Sequence, residues 1–358
     1  MANHLYLHVP FCKTICAYCD FCHVVFNENM ADKWLDELSN EIKTHDLSNL
    51  ATIYIGGGTP TSLNLEELNR LLELIKPYSN NVIEYTIEIN PETFDADKAL
   101  LLKKYGINRA SIGLQSTNIK ELTLMNRKHS LNDVKNTVDL LSSVGIDNYS
   151  LDIMYSLPFQ TMDSLKKTID DALSLKPKHL SLYSLTIEDN TIFGKKGIKN
   201  LDEDTEADMY EFISKYLSDC GFVHYEVSNF AYEGYESKHN MAYWKYDDFI
   251  GLSLGASGKE NHVRYDKTRN MKQYLNHDYY AEKIELTLED EMFENVMMSL
   301  RMIYGLDLNS FKERYKLDFF EVYSDAYNKH KDCFVLHDNH LIVNDLGVLN
   351  TILIDFLD

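Results

Sequence analysis

The sequence lacks the features of exported, membrane-spanning and disordered proteins. Its start, MANHLYLHVPFC, contains neither the basic segment nor the long apolar segment of a signal peptide, and no run of about 18 uncharged apolar residues occurs. No polar low-complexity tract interrupts the 358 residues, of which 44% are hydrophobic and 25% charged. We therefore expect a globular, cytoplasmic protein that is not an integral membrane protein.

Positive charge is scarce. Lys and Arg number 35 against 56 Asp and Glu, which gives a formal net charge of −21, and they form no basic run. Such a chain repels phosphate backbones and anionic lipid headgroups. We therefore do not expect nucleic acid as a partner.

Cysteines are few and unevenly placed. Four of the six lie between positions 12 and 22, whereas Cys220 and Cys333 stand alone. This is a poor layout for a disulfide framework. In a reducing compartment such a cluster indicates metal or redox chemistry.

Apolar segments typical of strands alternate with helical patterns over the first half of the chain. Strands are predicted at 5–9, 52–55, 85–89, 110–114, 150–155 and 179–185. Helices are predicted around Trp34, Leu35, Leu38 and Ile42, and near 65–76, 95–104, 130–143 and 161–174. Six βα-type units in succession predict an α/β fold with a parallel sheet and right-handed crossovers. Periodicity alone does not choose between a closed or partly open barrel and a flat doubly wound sheet.

The last part of the chain differs in character. A chain of this length exceeds the roughly 250–300 residues at which one core stops growing, so a second domain is expected. From position 286, LTLEDEMFENVMMSLRMI has apolar residues at helical spacing, and the end, HLIVNDLGVLNTILIDFL, is typical of a strand, a turn and a closing helix. The predicted division is a large domain over 1–285 and a small, mainly helical, winged-helix-like domain over 286–358.

The cysteine-rich segment FCKTICAYCDFC follows the first predicted strand, and its Cys12, Cys16 and Cys19 have the spacing C-x3-C-x2-C. Three thiolates hold three irons of a [4Fe–4S] cubane and leave the fourth iron open for a chelating ligand. Structural zinc is the alternative, but zinc sites usually pair C-x2-C with a second distant pair, which this sequence lacks. The three cysteines are therefore the predicted cluster ligands, with structural zinc or inert thiols as the alternatives.

The pattern C-x3-C-x-Tyr-C after a strand resembles the signature of the radical S-adenosylmethionine (SAM) superfamily. The wider segment LYLHVPFCKTICAYCDF is similar to the branch that contains the oxygen-independent coproporphyrinogen III oxidases and the HemW-type heme chaperones. The resemblance covers nearly the whole chain. It implies a partial (β/α)6 TIM-type barrel and electron transfer from the reduced cluster to SAM, which yields methionine and a 5′-deoxyadenosyl radical.

A SAM site is the second implication of the resemblance. GGGTP follows the second predicted strand, where consecutive glycines let a ligand approach the backbone, and polar residues recur at later strand ends, the face where barrels place active sites. Arg127 is expected to pair with the methionine carboxylate and Asp152 with the ribose hydroxyls. For Glu88 and Gln115 the alternative is a hydrogen-bonded polar layer in the barrel core. The implied SAM contacts are Tyr6, Tyr18, Gly56, Gly57, Gly58, Thr59, Glu88, Gln115, Arg127 and Asp152.

The segment KHNMAYWK distinguishes the two members of the branch. It resembles the HNxxYW motif of the heme chaperones, which implies a loop with His239 as an axial heme ligand and Tyr243 and Trp244 stacked on the macrocycle. The alternative is a surface loop anchored by its aromatic residues. The oxidases would place a cysteine where Phe21 stands, and the eleven residues before Cys12 are fewer than their N-terminal arm.

Cys22 has two interpretations. It is either a spare thiol or an alternative cluster ligand in the SAM-free state.

These observations predict a HemW-like protein that binds a [4Fe–4S] cluster, SAM and heme. Its partners would be heme and the apo-hemoproteins that receive it, including respiratory proteins at the inner face of the membrane. Oxidative decarboxylation of coproporphyrinogen III is the alternative enzymatic function and is not expected here. A pure iron–sulfur electron-transfer protein is the second alternative, but it leaves GGGTP and the strand-end polar residues unexplained.

Overall fold

A computed structural model describes residues 2–357 of the chain. The strands, numbered in chain order, are β1 His4–Val9, β2 Phe11–Cys12, β3 Val24–Val25, β4 Thr52–Gly57, β5 Glu84–Ile89, β6 Arg109–Gln115, β7 Tyr149–Tyr155, β8 His179–Ser184, β9 Val223–Glu226, β10 Asn229–Ala231, β11 Phe249–Leu252, β12 Ser257–Glu260, β13 Val263–Lys267, β14 Tyr280–Glu285, β15 Leu306–Asp307, β16 Phe334–His337 and β17 His340–Val343. The α-helices are α1 Glu28–Ile42, α2 Leu65–Ile75, α3 Ala96–Lys104, α4 Ile119–Leu124, α5 Leu131–Ser143, α6 Met162–Ser174, α7 Ile192–Lys195, α8 Glu203–Asp219, α9 Lys238–Trp244, α10 Met271–Tyr274, α11 Leu288–Ser299, α12 Leu308–Tyr315, α13 Phe319–Val322, α14 Ser324–Lys329 and α15 Leu349–Ile354.

One large sheet organises the fold. Its strand order is β14-β13-β12-β11-β1-β4-β5-β6-β7-β8-β10-β9. The strands from β11 to β8 pair in parallel, and antiparallel strands extend the sheet on both sides. Because β1 and β8 are not neighbours in this order, the six predicted parallel strands form a barrel that stays open. The predicted partial (β/α)6 barrel is confirmed.

The helices between the parallel strands begin where the sequence supplies caps. Asn64 and Glu67 form a reciprocal capping box at α2, and Ser130 with Asp133 does the same at α5. Such a box satisfies two backbone N–H groups that have no partner inside the helix. These helices pack their apolar faces against the outer side of the sheet. Successive side chains of a strand point to opposite faces, so each strand has apolar side chains that pack against the helices and alternate side chains that point into the barrel.

The end of the chain has its own apolar cluster. Buried residues of α11, α12 and α15, including Val296, Phe311 and Ile352, pack together, separately from the barrel core. Three short strands in the order β15-β17-β16 lie beside these helices. This arrangement is consistent with a small mainly helical unit, while the exact boundary at 285 and 286 stays a prediction.

Candidate functional site

A cavity of about 460 Å³ lies inside the barrel and reaches the carboxyl ends of the parallel strands. Its lining contains polar groups from many separate parts of the sequence, because successive parallel strands end at the same edge. Of the predicted site residues, it brings together Cys12, Cys16, Tyr18, Cys19, Gly57, Gly58, Thr59, Glu88, Gln115, Arg127 and Asp152.

The three predicted cluster cysteines lie at one end of this cavity. Cys12 ends β2, which pairs with β3, so the segment that carries Cys16 and Cys19 is closed into a loop. The Thr59 hydroxyl donates to Cys12 Sγ at 3.6 Å, and Cys19 Sγ lies 3.8 Å from His23 Nδ1. Burial raises the pKa of the Cys12 thiol to about 11 and that of Cys19 to about 12. A metal centre that binds thiolates must therefore displace these protons.

The donor set fits an iron–sulfur cluster. Among residues 2–357, no three His, Cys, Asp or Glu side chains converge closely enough to hold one metal ion. A cubane attaches each thiolate to a different iron, so its ligands need not meet at a point. Gly58 leaves room beside the thiol, because a Cβ at that position would lie 2.9 Å from Cys12 Sγ.

Gly57 and Glu88 form the next part of the lining. Gly57 has φ of +111°, a conformation that favours glycine, and its N–H donates to Glu88 Oε2 at 3.1 Å. The Tyr54 hydroxyl donates to Glu88 Oε1 at 2.9 Å. Burial, reinforced by the nearby Asp152 carboxylate, raises the pKa of Glu88 from 4.5 to about 7. This carboxyl group is suited to a cationic ligand group, since a nearby positive charge favours its ionised form.

Arg127 lies at the cysteine end of the cavity. Its Nη2 donates to the Tyr18 hydroxyl at 3.3 Å, and its buried Nε has no protein partner among residues 2–357. The guanidinium lies close to Gly113 on β6, where an added Cβ would be 3.5 Å from Nη2. A planar cation with unused donors beside the cysteine loop is suited to a carboxylate.

Asp152 lies further inside the barrel. Ser111 Oγ donates to both carboxylate oxygens, at 3.0 and 2.8 Å. Burial raises the pKa of Asp152, although hydrogen bonds from serine hydroxyls oppose the shift. The carboxylate has acceptor capacity left for ligand hydroxyls.

Several lining residues were missed by the sequence analysis. Arg109, Ser111, His179, Ser181 and Tyr183 occupy alternate positions on β6 and β8 and face the cavity. The signal was present in RASIG and HLSLY, where polar residues alternate with apolar ones inside segments predicted to be buried strands.

Two predicted SAM residues do not line the cavity. Tyr6 lies in register with Tyr54 in the middle of β1, and its hydroxyl contacts His8 Nδ1 at 3.0 Å. The expectation that Tyr6 flanks the cluster stays a prediction. Gly56 lies against Glu88 instead, where a Cβ would be 2.7 Å from Oε1.

Cys22 is also directed away from the cavity. It is 8% exposed, and its Sγ lies 3.8 Å from the Arg269 carbonyl oxygen. A Cβ on Gly255 would clash with the Cys22 side chain. This packing favours the interpretation of Cys22 as a spare thiol.

The HNMAYW segment is helix α9 and not a loop, which corrects the sequence-based expectation. Its N-terminus enters the amino end of the barrel, where Glu84 Oε2 accepts from the Lys238 N–H and Oε1 accepts from the His239 N–H. Satisfying these free N–H groups with a carboxylate stabilises a helix start. The prediction of a loop failed because this acidic partner lies 155 residues away in the sequence.

His239 is buried, with 1% of its surface exposed, and both ring nitrogens have partners. Nδ1 pairs with Thr52 Oγ1 at 2.7 Å, and Nε2 pairs with the Tyr243 hydroxyl at 2.8 Å. Burial lowers the pKa of His239 to about 3. Tyr243 and Trp244 are partly buried, and the Trp244 Nε1 is buried without a protein partner. Axial ligation by His239 therefore requires one of its two hydrogen bonds to open.

None of the helices in residues 2–357 combines the length and apolar character needed to span a membrane.

Comparison with known proteins identifies the family. Residues 6–172 match the radical SAM superfamily, and residues 286–349 match the HemN C-terminal domain. The heme chaperone HemW of Lactococcus lactis is 36% identical over 352 residues, which cover 96% of this chain and 91% of that protein. The Bacillus subtilis heme chaperone HemW is 37% identical, with 87% of this chain and 86% of that protein covered.

A solved structure agrees with the fold. Coproporphyrinogen III oxidase (HemN) from Escherichia coli, a radical SAM enzyme, superposes with a TM-score of 0.86 at 22% identity, over 99% of this chain and 90% of that chain. Radical SAM proteins bind a [4Fe–4S] cluster and SAM, and the residues that line the cavity provide suitable groups for both. The chain belongs to the radical SAM superfamily, in the HemW-type branch of the oxygen-independent coproporphyrinogen III oxidase family.

Proposed function

We propose that this protein is a cytoplasmic heme chaperone that binds a [4Fe–4S] cluster, SAM and heme, and passes heme to apo-hemoproteins. The observation that carries the proposal is the convergence of Cys12, Cys16 and Cys19 on one polar barrel cavity. The relatives that match most of the chain's length and are named heme chaperones also support it.

The proposed ligand roles follow from the cavity. Cys12, Cys16 and Cys19 hold the cluster, which supplies an electron to SAM when both are bound. Arg127, which donates to the Tyr18 hydroxyl within the cysteine loop, pairs with the methionine carboxylate. Glu88 attracts the cationic part of SAM, and Asp152, held by Ser111, accepts from the ribose hydroxyls.

Heme binding is proposed at α9, through His239, Tyr243 and Trp244. The hydroxyl of Tyr243 must leave His239 Nε2 before that nitrogen meets iron. The exchange is favoured by the state of the imidazole, because burial keeps it neutral and a neutral nitrogen is the form that binds a metal. The exposed Lys238 and Lys245 flank the helix and provide positive charge for the heme propionates.

Direct heme transfer is the experiment that tests this function. The heme-loaded, cluster-reconstituted full chain is mixed anaerobically with increasing concentrations of an apo-cytochrome b, and the Soret band is followed. Passive release gives a rate equal to the dissociation rate measured with a heme scavenger, whatever the acceptor concentration. A chaperone gives a rate that rises with acceptor concentration above that limit. A rate that never exceeds passive release would contradict the proposal.

A further inference from the structure

Arg109 is a buried cation without a hydrogen-bonding partner. Its side chain is 2% exposed and lines the inner part of the barrel cavity. No group in residues 2–357 accepts a hydrogen bond from its guanidinium, and its Nε is buried without a partner. Glu84 is the nearest carboxylate, at 4.0 Å from Nε, which is beyond hydrogen-bonding distance. A buried polar group in this state calls for an explanation, since most are satisfied.

His179 presents a second unsatisfied nitrogen beside it. The ring is 1% exposed, and its Nε2 lies 2.8 Å from the Tyr225 hydroxyl. Tyr225 already accepts from the Ser237 N–H, so its own proton is free to go to Nε2. The histidine proton then belongs on Nδ1, which is buried without a partner. Burial and the Arg109 charge lower the pKa of His179 well below 6.5, so it remains a neutral donor.

This inner group is separate from the Arg127 end of the cavity. Arg127 lies next to Gly113, whereas Arg109 starts β6 four residues earlier. At about 3.3 Å of rise per residue, the Cα atoms of Gly113 and Arg109 are about 13 Å apart along the strand. One methionine carboxylate held at the cysteine loop by Arg127 therefore leaves Arg109 without a partner.

The acidic residues nearby offset part of the Arg109 charge but accept no hydrogen bond from it. Glu84 uses its oxygens to accept the Lys238 and His239 N–H groups of α9. Asp152 accepts from Ser111 on both oxygens. The inner end of the cavity thus combines a cation and a neutral donor with the small polar side chains of Ser181 and Asn240.

We propose that Arg109 and His179 form a second ligand site at the inner end of the barrel, which binds the carboxylate of a small molecule distinct from SAM. The guanidinium provides parallel donors that match the two carboxylate oxygens. The inference rests on the proposed function in one respect, namely that SAM occupies the outer end of the same cavity. It adds a small acidic ligand to the cluster, SAM and heme.

Acetate is the probe that tests this site. The reconstituted full chain is titrated with acetate at constant ionic strength, with chloride as the balancing anion, and binding is measured by calorimetry and by the shift in Tm. Inorganic phosphate is titrated separately. We expect the wild type to bind acetate saturably and to bind phosphate more weakly than acetate. Arg109→Gln should weaken acetate binding at least tenfold. Arg70→Gln is the matched control, because Arg70 is a surface arginine paired with Asp32 and Asp36.

Wild-type crystals soaked in acetate provide a readout that does not depend on a variant's folding, and we expect acetate density on Arg109. No saturable acetate binding, unchanged affinity in Arg109→Gln, or tighter phosphate than acetate binding would overturn the proposal. SAM is titrated into the same proteins. If Arg109→Gln weakens SAM and spares acetate, Arg109 is a SAM contact and the proposal is wrong. If the wild type binds acetate but not SAM, the inner site stands and the proposed function fails.

Discussion

Thr52 and His239 are hydrogen-bonded across 187 positions of sequence, with 2.7 Å between Thr52 Oγ1 and His239 Nδ1. Thr52 begins a barrel strand, and His239 belongs to the short helix that enters the amino end of the barrel. The bond, together with the Glu84 contacts to the same helix, makes HNMAYW part of the barrel structure. Any heme role of His239 is therefore coupled to the stability of the barrel.

The first prediction concerns this coupling. His239→Ala removes a buried ring and leaves the Tyr243 hydroxyl without its partner, whereas Thr52 keeps its bond to His4. It should lower the free energy of unfolding by about 2–4 kcal/mol. Chemical denaturation measures this. Tyr243→Phe is the matched variant, because it removes one hydrogen bond and keeps the imidazole, and it should cost about 1–2 kcal/mol. If His239 ligates heme, Tyr243→Phe keeps the Soret band of the complex and His239→Ala shifts it. Identical heme spectra in both variants would argue against ligation.

The second prediction concerns the cysteines. Cys12→Ala, Cys16→Ala and Cys19→Ala should each abolish the cubane, because a three-thiolate site has no ligand to spare. Anaerobic reconstitution with iron and sulfide analysis measures the loss. Cys22→Ala is the control and should keep the cluster, since its thiol packs against Gly255 and the Arg269 carbonyl. Loss of the cluster in Cys22→Ala with retention in Cys19→Ala would reverse the assignment.

The third prediction concerns SAM. In the proposed site, SAM should change the EPR spectrum of the reduced cluster, because its amino and carboxylate groups would bind the open iron. Arg127→Gln should weaken SAM binding by roughly ten- to 150-fold, the equivalent of about 1.5–3 kcal/mol for one charged hydrogen-bonded contact. Arg70→Gln, on the surface, should bind SAM as the wild type does. An unchanged EPR spectrum at saturating SAM would rule out the proposed SAM site.

The fourth prediction concerns pH. The folded chain raises the pKa of Glu88 from 4.5 to about 7, chiefly by burial. Between these values the folded state binds more protons than the unfolded state, so this group makes the protein less stable as pH rises through that window. Without SAM, Glu88→Gln should remove this loss, and its stability relative to the wild type should increase from pH 4.5 to 7. A constant difference across that range would show that Glu88 is not shifted.

The sequence predicted the parallel strands and the cysteine loop because both are local patterns. Apolar runs bounded by helical periodicity located β4 to β8, and C-x3-C-x2-C located the three thiols that meet at the cavity. Arg127 and Asp152 were found because they lie in segments that resemble family motifs, and their ligand roles stay predictions.

Contacts between distant segments were not predictable in this way. β11 pairs in parallel with β1, although nearly the whole barrel separates them in sequence. The start of α9 depends on Glu84, and the inner cavity depends on the juxtaposition of Arg109 with His179. Each of these relationships is set by the order and curvature of the strands in the sheet, which periodicity does not specify.

The most direct measurement of the central claim compares heme binding and coproporphyrinogen III decarboxylation on one sample. The full chain is reconstituted anaerobically, supplied with SAM and a reductant, and divided between a heme titration and product analysis. The account predicts saturable heme binding and no conversion of coproporphyrinogen III to protoporphyrinogen IX. Conversion of coproporphyrinogen III, or a failure to bind heme, would contradict it.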